Sequence, residues 1–257
     1  MKVLDIFNVY EEYKKRYSDV DYPRLTEDNL SYANDVNFWF EFSGKELYAN
    51  NYNLVICMKA FCLKDEYITS ILFHEFTHLH DSIILKSLPY DEFQNIMASY
   101  SEINAAYVEF EYLFSSKSIS TKTKMRHLDR VINIGNWFQK ELRRIQRTWG
   151  NMEFESISEF MDELKLLCYF IGKYTYLHSR IPSINLTIDS PFQPEINVMI
   201  EKYKCKDYSL STEFNQIIKK YRTYHNIELA KEFASLTNGA ISVEKLLEHA
   251  DQIGKNL

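Results

Sequence analysis

Residues 71–81 read ILFHEFTHLHD and contain the pattern H-E-x-x-H. Residues four apart on an α-helix lie one above the other on one face, so His74 and His78 would direct ring nitrogens at a single ion. Glu75 is rotated by about 100° from His74 and would lie beside that ion, where a general base for a metal-bound water belongs. The pattern therefore predicts a metal site, most simply Zn²⁺, on a helix.

The sequence around the pattern favours a helix. The segment 67–85 has neither Gly nor Pro, and its apolar residues can form a surface behind the polar face. Two buried histidines without partners would be costly, and a metal is the simplest partner that they could share. The alternative is an all-helical structural protein in which the pattern is accidental.

Composition limits the classes of protein that this chain can represent. With 257 residues, 46% hydrophobic, and only six Gly and five Pro, it favours a helix-rich fold with a substantial core. The net charge of -6 argues against general nucleic-acid binding. No apolar run reaches the roughly 18 residues that span a bilayer, and the amino terminus is too charged for a secretory signal. We expect a soluble cytoplasmic protein with no membrane partner.

Two β-prone stretches precede the motif helix. Residues 36–42 are rich in aromatic side chains, and residues 54–58 form an apolar run. The predicted fold class is therefore α+β and predominantly helical, with a small antiparallel sheet before the H-E-x-x-H helix and a helical carboxyl-terminal half. The second stretch is either an exposed edge that accepts an extended peptide or an ordinary half-buried strand.

The next predicted helix, about residues 92–115, offers a third metal ligand. A catalytic zinc usually has three protein ligands and an open position for water, so two histidines leave one place to fill. Glu102 is the candidate, because its helical neighbours are small enough to allow a close approach, namely Ala98, Ser99, Ala105 and Ala106. The alternative is that Glu102 is a solvated helix carboxylate.

Other polar residues near the motif are weaker candidates. Glu109 lies on nearly the same face as Glu102 but about 10 Å along the axis, so both cannot bind one zinc. Glu111 points to the opposite face, and His80 faces away from the metal as a surface or hydrogen-bonded side chain. Asp81 either orients the outer nitrogen of a zinc-bound histidine or faces solvent.

The segments HEFTH (74–78) and EINAAY (102–107) resemble the gluzincin metallopeptidases, and more narrowly the compact ImmA/IrrE-like group. The resemblance covers roughly residues 36–115. It implies a zinc metallopeptidase that hydrolyses a peptide or protein substrate, with His74, His78 and Glu102 as metal ligands and Glu75 as the general base. The competing hypothesis is a peptidase-like scaffold that acts as a protein-binding or regulatory module with little or no turnover.

The predicted domain organisation has two parts. They are a zincin-like metallopeptidase core, 1–115, and a helical region, 116–257, which is either separate or packed as part of the same domain. The basic residues of 120–148 are interpreted as a solvated helix face. Three side chains of this region are candidates for stabilising an oxyanion, namely Tyr221, Tyr224 and His225. Periodicity predicts helices at 120–148, 154–179, 196–203, 209–224, 227–236 and 243–253.

Overall fold

The architecture is predominantly helical. The computed structural model describes residues 3–33, 40–42, 47–57, 65–115, 138–152, 154, 156–180, 182, 186–188, 190–236, 242–245 and 247. Its helices are α1 (Val3–Arg16), α2 (Asp65–Leu85), α3 (Tyr90–Ile96), α4 (Glu102–Ser115), α5 (138–150), α6 (Ile157–Arg180), α7 (Gln193–Lys204) and α8 (Leu210–Leu236). Its strands are β1 (Leu30–Ala33), β2 (Phe40–Phe42) and β3 (Leu54–Cys57).

The motif helix α2 is the central element. From Ile68 to Leu79 almost every side chain is buried, including the polar ones, which is the pattern of a helix covered on all sides. Helix α1 covers one side, where the Tyr13 hydroxyl donates a hydrogen bond of 3.1 Å to Thr77 Oγ1. The Tyr13 ring also packs edge-on against Phe73 at 5.2 Å. Because α2 is enclosed, polar groups on it need partners from neighbouring helices.

The sheet corrects one part of the predicted fold. Strand β3 lies in the middle, antiparallel to β2 but parallel to β1, so the sheet is mixed rather than antiparallel. The central position also overturns the idea that residues 54–58 form an exposed edge for a peptide, because β3 is paired on both sides. Leu54 and Ile56 are fully buried on one face of β3. The predicted stretch 36–42 contains β2, whereas residues 34–39 lie outside the described part of the chain.

Helices α3 and α4 form one continuous helical segment after Pro89, as the predicted helix 92–115 requires. A π-helical turn, Met97–Ser101, joins them directly before Glu102. A π-helical turn widens the backbone and rotates the residues that follow relative to an uninterrupted α-helix. This turn therefore helps to set the direction in which Glu102 leaves α4.

Helix α6, from the carboxyl-terminal half, packs closely against α4. At their contact a Cβ on Gly172 would lie 2.1 Å from the carbonyl oxygen of Ile103 and 3.0 Å from the Ala106 Cβ. Only glycine fits at this separation, because real Cβ atoms do not approach other atoms so closely. Ala106, one of the small residues near Glu102, therefore lies at the contact between α4 and α6.

The remaining carboxyl-terminal helices differ in part from prediction. Residues 209–224 and 227–236 were expected to form two helices, but α8 runs without interruption through both, since no Gly or Pro separates them. Most of the predicted helices 120–148 and 243–253 lies outside the described residues.

Buried side chains from both predicted regions belong to one hydrophobic cluster. The division at residue 115 remains a prediction. Within the described ranges, none of the helices combines the length and apolar character that crossing a membrane requires.

Candidate metal centre

Three predicted ligand side chains meet between α2 and α4. Glu102 Oε2 lies 3.3 Å from His78 Nε2 and 3.9 Å from His74 Nε2. One ligand atom from each residue lies within 4.8 Å of the other two. The side chains are only 9%, 12% and 11% exposed for His74, His78 and Glu102. The structure thus brings the three residues together in an arrangement that can hold a metal ion.

The two distances from Glu102 Oε2 to the histidine nitrogens can be compared with those of a small tetrahedral ion. With bonds of about 2.0–2.1 Å, two ligand atoms of a tetrahedral zinc site are about 3.3–3.4 Å apart. The distance from Glu102 to His78 has this value, and that from Glu102 to His74 is a little longer.

Two buried atoms of the cluster lack a hydrogen-bond partner within the described residues, namely His74 Nδ1 and Glu102 Oε2. Glu102 Oε2 is buried and accepts no hydrogen bond within the described parts of the chain. A buried carboxylate oxygen without a partner costs free energy, and a bound cation removes that cost. The atom faces both ring nitrogens, so a cation between them would supply the missing contact. The residues present therefore fit a metal ion.

The outer nitrogens of the two histidines also contact polar groups. His74 Nδ1 lies 3.3 Å from Glu109 Oε2, and His78 Nδ1 lies 2.8 Å from Ser101 Oγ. These polar contacts at Nδ1 leave Nε2 directed at the metal site, and outer groups orient metal-binding imidazoles in this way. Glu109 is not one of the three clustered residues, but it contacts His74, a contact that the sequence did not predict.

Asp81 does not fill either predicted role. It is buried at 3% exposure and accepts hydrogen bonds of 3.0 and 3.1 Å from Asn104 Nδ2. Its contact with His80 is 3.2 Å, and His80 also lies 3.1 Å from Asp19. Asp81 therefore neither orients His74 nor faces solvent, because α4 covers it. His80 is a hydrogen-bonded side chain away from the ligand cluster, as predicted.

Burial and charge set the protonation of the ligand set. Burial lowers the pKa of His74 below its usual value despite the nearby Glu109 carboxylate. For His78, burial acts in the same direction but is outweighed by the charge of Glu102, so its pKa is raised. Burial would raise the pKa of Glu102, yet His78 and Lys165 lower it to about 2. The Glu102 carboxylate is therefore ionised at neutral pH. At His78, by contrast, a proton competes with a metal ion for the ring nitrogen.

Helix α6 adds three side chains that sequence reasoning missed. Lys165 Nζ lies 3.1 Å from Glu102 Oε1, and Lys173 Nζ lies 3.7 Å from Glu109 Oε2. Between them, the Tyr169 ring packs edge-on against His74 at 5.2 Å. The three residues recur every four positions and so share one face of α6. These three residues, together with Gly172 as the single glycine of α6, are the feature of the sequence that could have indicated a contact between α6 and a charged site.

No known protein family, curated protein or solved structure matches this chain. The resemblance to gluzincins and to the ImmA/IrrE-like group therefore remains a prediction. The geometry of the described residues is what supports a function.

Glu75 is next to the ligand cluster on α2. It is buried at 8% exposure, and its charge contributes to the raised pKa of His78. Burial first, and then the charges of Glu102 and Glu75, raise the pKa of Tyr169. Tyr169 therefore keeps its proton at neutral pH and is a hydrogen-bond donor close to two carboxylates.

The predicted oxyanion candidates have other contacts. Tyr221 is buried and stacks on Phe160 with ring centroids 3.8 Å apart. His225 stacks on Tyr221 at 5.8 Å, and Tyr224 is 44% exposed on the same helix. Among the described residues of the carboxyl-terminal half, Lys165 and Tyr169 are polar side chains that do approach the cluster.

Proposed function

We propose that this chain is a zinc-dependent metallopeptidase that hydrolyses a peptide bond. The observation that carries the proposal is the convergence of His74 Nε2, His78 Nε2 and Glu102 Oε2 in a buried cluster with Glu75 beside it. Two imidazoles and one carboxylate with an open position are the ligand set of many catalytic zinc sites. When bound, zinc supplies a Lewis acid that polarises the attacking water and the substrate carbonyl.

The protein side chains carry the proton transfers in this proposal. Glu75 removes a proton from the attacking water and later delivers it to the leaving amine, as a general base that becomes a general acid. Tyr169, which is protonated, donates a hydrogen bond to the developing oxyanion. Glu109 and Ser101 hold the two imidazoles so that their Nε2 atoms stay directed at the site.

The proposed substrate is a peptide or protein, and the proposed location is the cytoplasm. A second candidate follows from the low exposure of the three ligand side chains. A ligand set so enclosed also suits a structural metal in a protein-binding or regulatory module with little or no turnover.

Zinc analysis combined with a peptide-library cleavage assay separates the two candidates. The metallopeptidase requires both bound zinc and cleavage. Bound zinc without cleavage would favour the regulatory module. Absence of zinc after purification without chelators would contradict both.

Replacement Glu102→Ala tests the ligand assignment. Loss of the carboxylate from the cluster should weaken zinc binding more than about 100-fold, since even outer-shell changes commonly cost 10–100-fold. The measurement is zinc affinity by competition with a chromophoric chelator. The matched control is Glu111→Ala on the same helix, because Glu111 accepts a hydrogen bond from Tyr17 at 2.8 Å and lies outside the ligand cluster. Normal zinc content in Glu102→Ala would defeat the assignment.

Metal affinity should also depend on pH through His78. Because Glu102 raises the pKa of His78, this ring holds a proton at higher pH than an ordinary histidine, and zinc must displace it. Affinity should therefore fall as pH decreases, by about tenfold per pH unit once His78 is protonated in the metal-free protein. Glu102 adds no such dependence there, since its pKa is about 2. Zinc titrations between about pH 6 and about pH 8 measure the slope, and a flat profile would contradict this account.

A further inference from the structure

The two oxygens of the Glu102 carboxylate face different partners. Oε2 faces the ring nitrogens of His74 and His78, whereas Oε1 lies 3.1 Å from Lys165 Nζ on α6. A carboxylate can bind a metal through one oxygen or through both. The contact from α6 engages the oxygen that would otherwise be able to turn toward the metal.

We infer that Lys165 is a positioning residue that holds Glu102 as a one-oxygen metal ligand. This inference rests on the proposed metal site. With Oε1 paired to the ammonium, only Oε2 reaches the ion, and one coordination position stays open for water. A carboxylate bound through both oxygens would occupy part of that position.

A contact within α6 and the packing of α6 on α4 place Lys165 where this role requires it. Its Nζ lies 5.6 Å from the centre of the Tyr169 ring, within the range of a cation–π contact. The close contact of Gly172 with Ile103 sets the separation of α6 from the helix that carries Glu102. The contacts with Glu102 and Tyr169 and the packing of α6 thus position the ammonium.

The exposure of the Lys165 side chain indicates whether its ion pair with Glu102 stabilises the fold or only orients the carboxylate. Its side chain is 54% exposed, so the ion pair is screened by solvent and contributes little to folding. An effect of the lysine on the orientation of Glu102 can nevertheless be large, because the carboxylate itself is only 11% exposed. If Lys165 is a positioning residue, replacing it should change metal coordination and leave the free energy of unfolding nearly unchanged.

The chain offers a closely matched control. Lys220 forms an ion pair with Glu195, and the two side chains are 52% and 10% exposed. This pair repeats the arrangement of a half-exposed lysine on a buried glutamate. Neither residue belongs to the ligand cluster.

The test uses the full chain loaded with Co²⁺ in place of zinc, because the visible spectrum of Co²⁺ reports its coordination number. In Lys165→Met the intense bands of four-coordinate Co²⁺ should weaken, as Glu102 turns to bind through both oxygens. Co²⁺ affinity should fall about tenfold, the lower end of the effect of outer-shell changes. Lys165→Arg should restore both properties, and Lys220→Met should leave both unchanged. Thermal unfolding checks that each variant is folded, and Lys165→Gln provides a second neutral replacement.

The outcomes distinguish this inference from the proposed function. If the parent chain binds Co²⁺ and Lys165→Met and Lys165→Gln match its spectrum and affinity, the positioning role is overturned while the metal site stands. If the parent chain binds no Co²⁺, both are overturned. Binding of Co²⁺ without peptide cleavage would count against the peptidase alone, and the spectra would still decide the role of Lys165.

Discussion

Replacement Glu75→Gln should abolish peptide hydrolysis and leave metal binding intact. A positioned general base contributes about 10²–10⁴-fold to a rate, and glutamine cannot accept the proton from the attacking water. The replacement preserves the size of the side chain, which matters because Glu75 is buried at 8% exposure beside His78. Initial rates on a peptide identified from the library, together with zinc content, measure the two effects in one preparation.

The control for this variant is Glu92→Gln, on the exposed surface of α3. It changes the same functional group without touching the ligand cluster, so its rate and zinc content should equal those of the parent. Substantial activity in Glu75→Gln would remove the residue from the proposed mechanism. Loss of zinc together with activity would show instead that Glu75 supports the metal site.

Local patterns predicted the part of the site that lies within single helices. His74 and His78 share a face because the helix repeats every 3.6 residues, and no tertiary contact is needed to know it. The same argument placed Glu102 and Glu109 two turns apart on α4. The structure adds that the His74 ring contacts both carboxylates, with Nε2 toward Glu102 and Nδ1 toward Glu109.

Patterns within single helices do not predict contacts between segments that are distant in the sequence. The two predicted roles of Asp81 considered only the motif helix, but its partner Asn104 comes from α4. The prediction of an antiparallel sheet was wrong for a similar reason, because a short apolar run such as 54–58 does not reveal how many neighbours it has or in which direction they run. Where two helices meet depends on side chains from both, and a single sequence gives only the face that each one offers.

Helix α6 carries the residues near the ligand cluster that could not be predicted from the sequence. The candidates chosen from the carboxyl-terminal half were aromatic residues of α8, selected for their chemistry without knowledge of position. The residues that do approach the ligand cluster, Lys165 and Tyr169, lie on a helix that was predicted nearly to its ends but given no role. Their contribution follows from the close packing at Gly172, which is itself a testable feature.

Replacement Gly172→Ala should destabilise the fold and weaken the metal site together. The added Cβ would lie 2.1 Å from the Ile103 carbonyl oxygen and 2.9 Å from the Tyr107 backbone nitrogen. These are backbone atoms, so the clash can be relieved only by moving α6 away from α4. Overpacking of this kind costs about 1–3 kcal/mol or more, which exceeds the gain of about 1 kcal/mol from alanine in a helix. We expect a lower Tm in thermal unfolding and weaker zinc binding by competition, since Glu102 adjoins Ile103.

Gly150→Ala is the matched control, because Gly150 is exposed at the end of α5. Alanine there should change the free energy of unfolding by less than about 1 kcal/mol and leave zinc affinity unaltered. A Gly172→Ala protein that is destabilised but binds zinc normally would mean that α6 stabilises the fold without setting the position of Glu102. A protein that is neither destabilised nor weakened in zinc binding would contradict the close approach of the two helices. Loss of zinc affinity beyond the loss of stability would tie the metal site to the packing of α6, since a separation that moves Ile103 also moves the carboxylate of Glu102 away from His78.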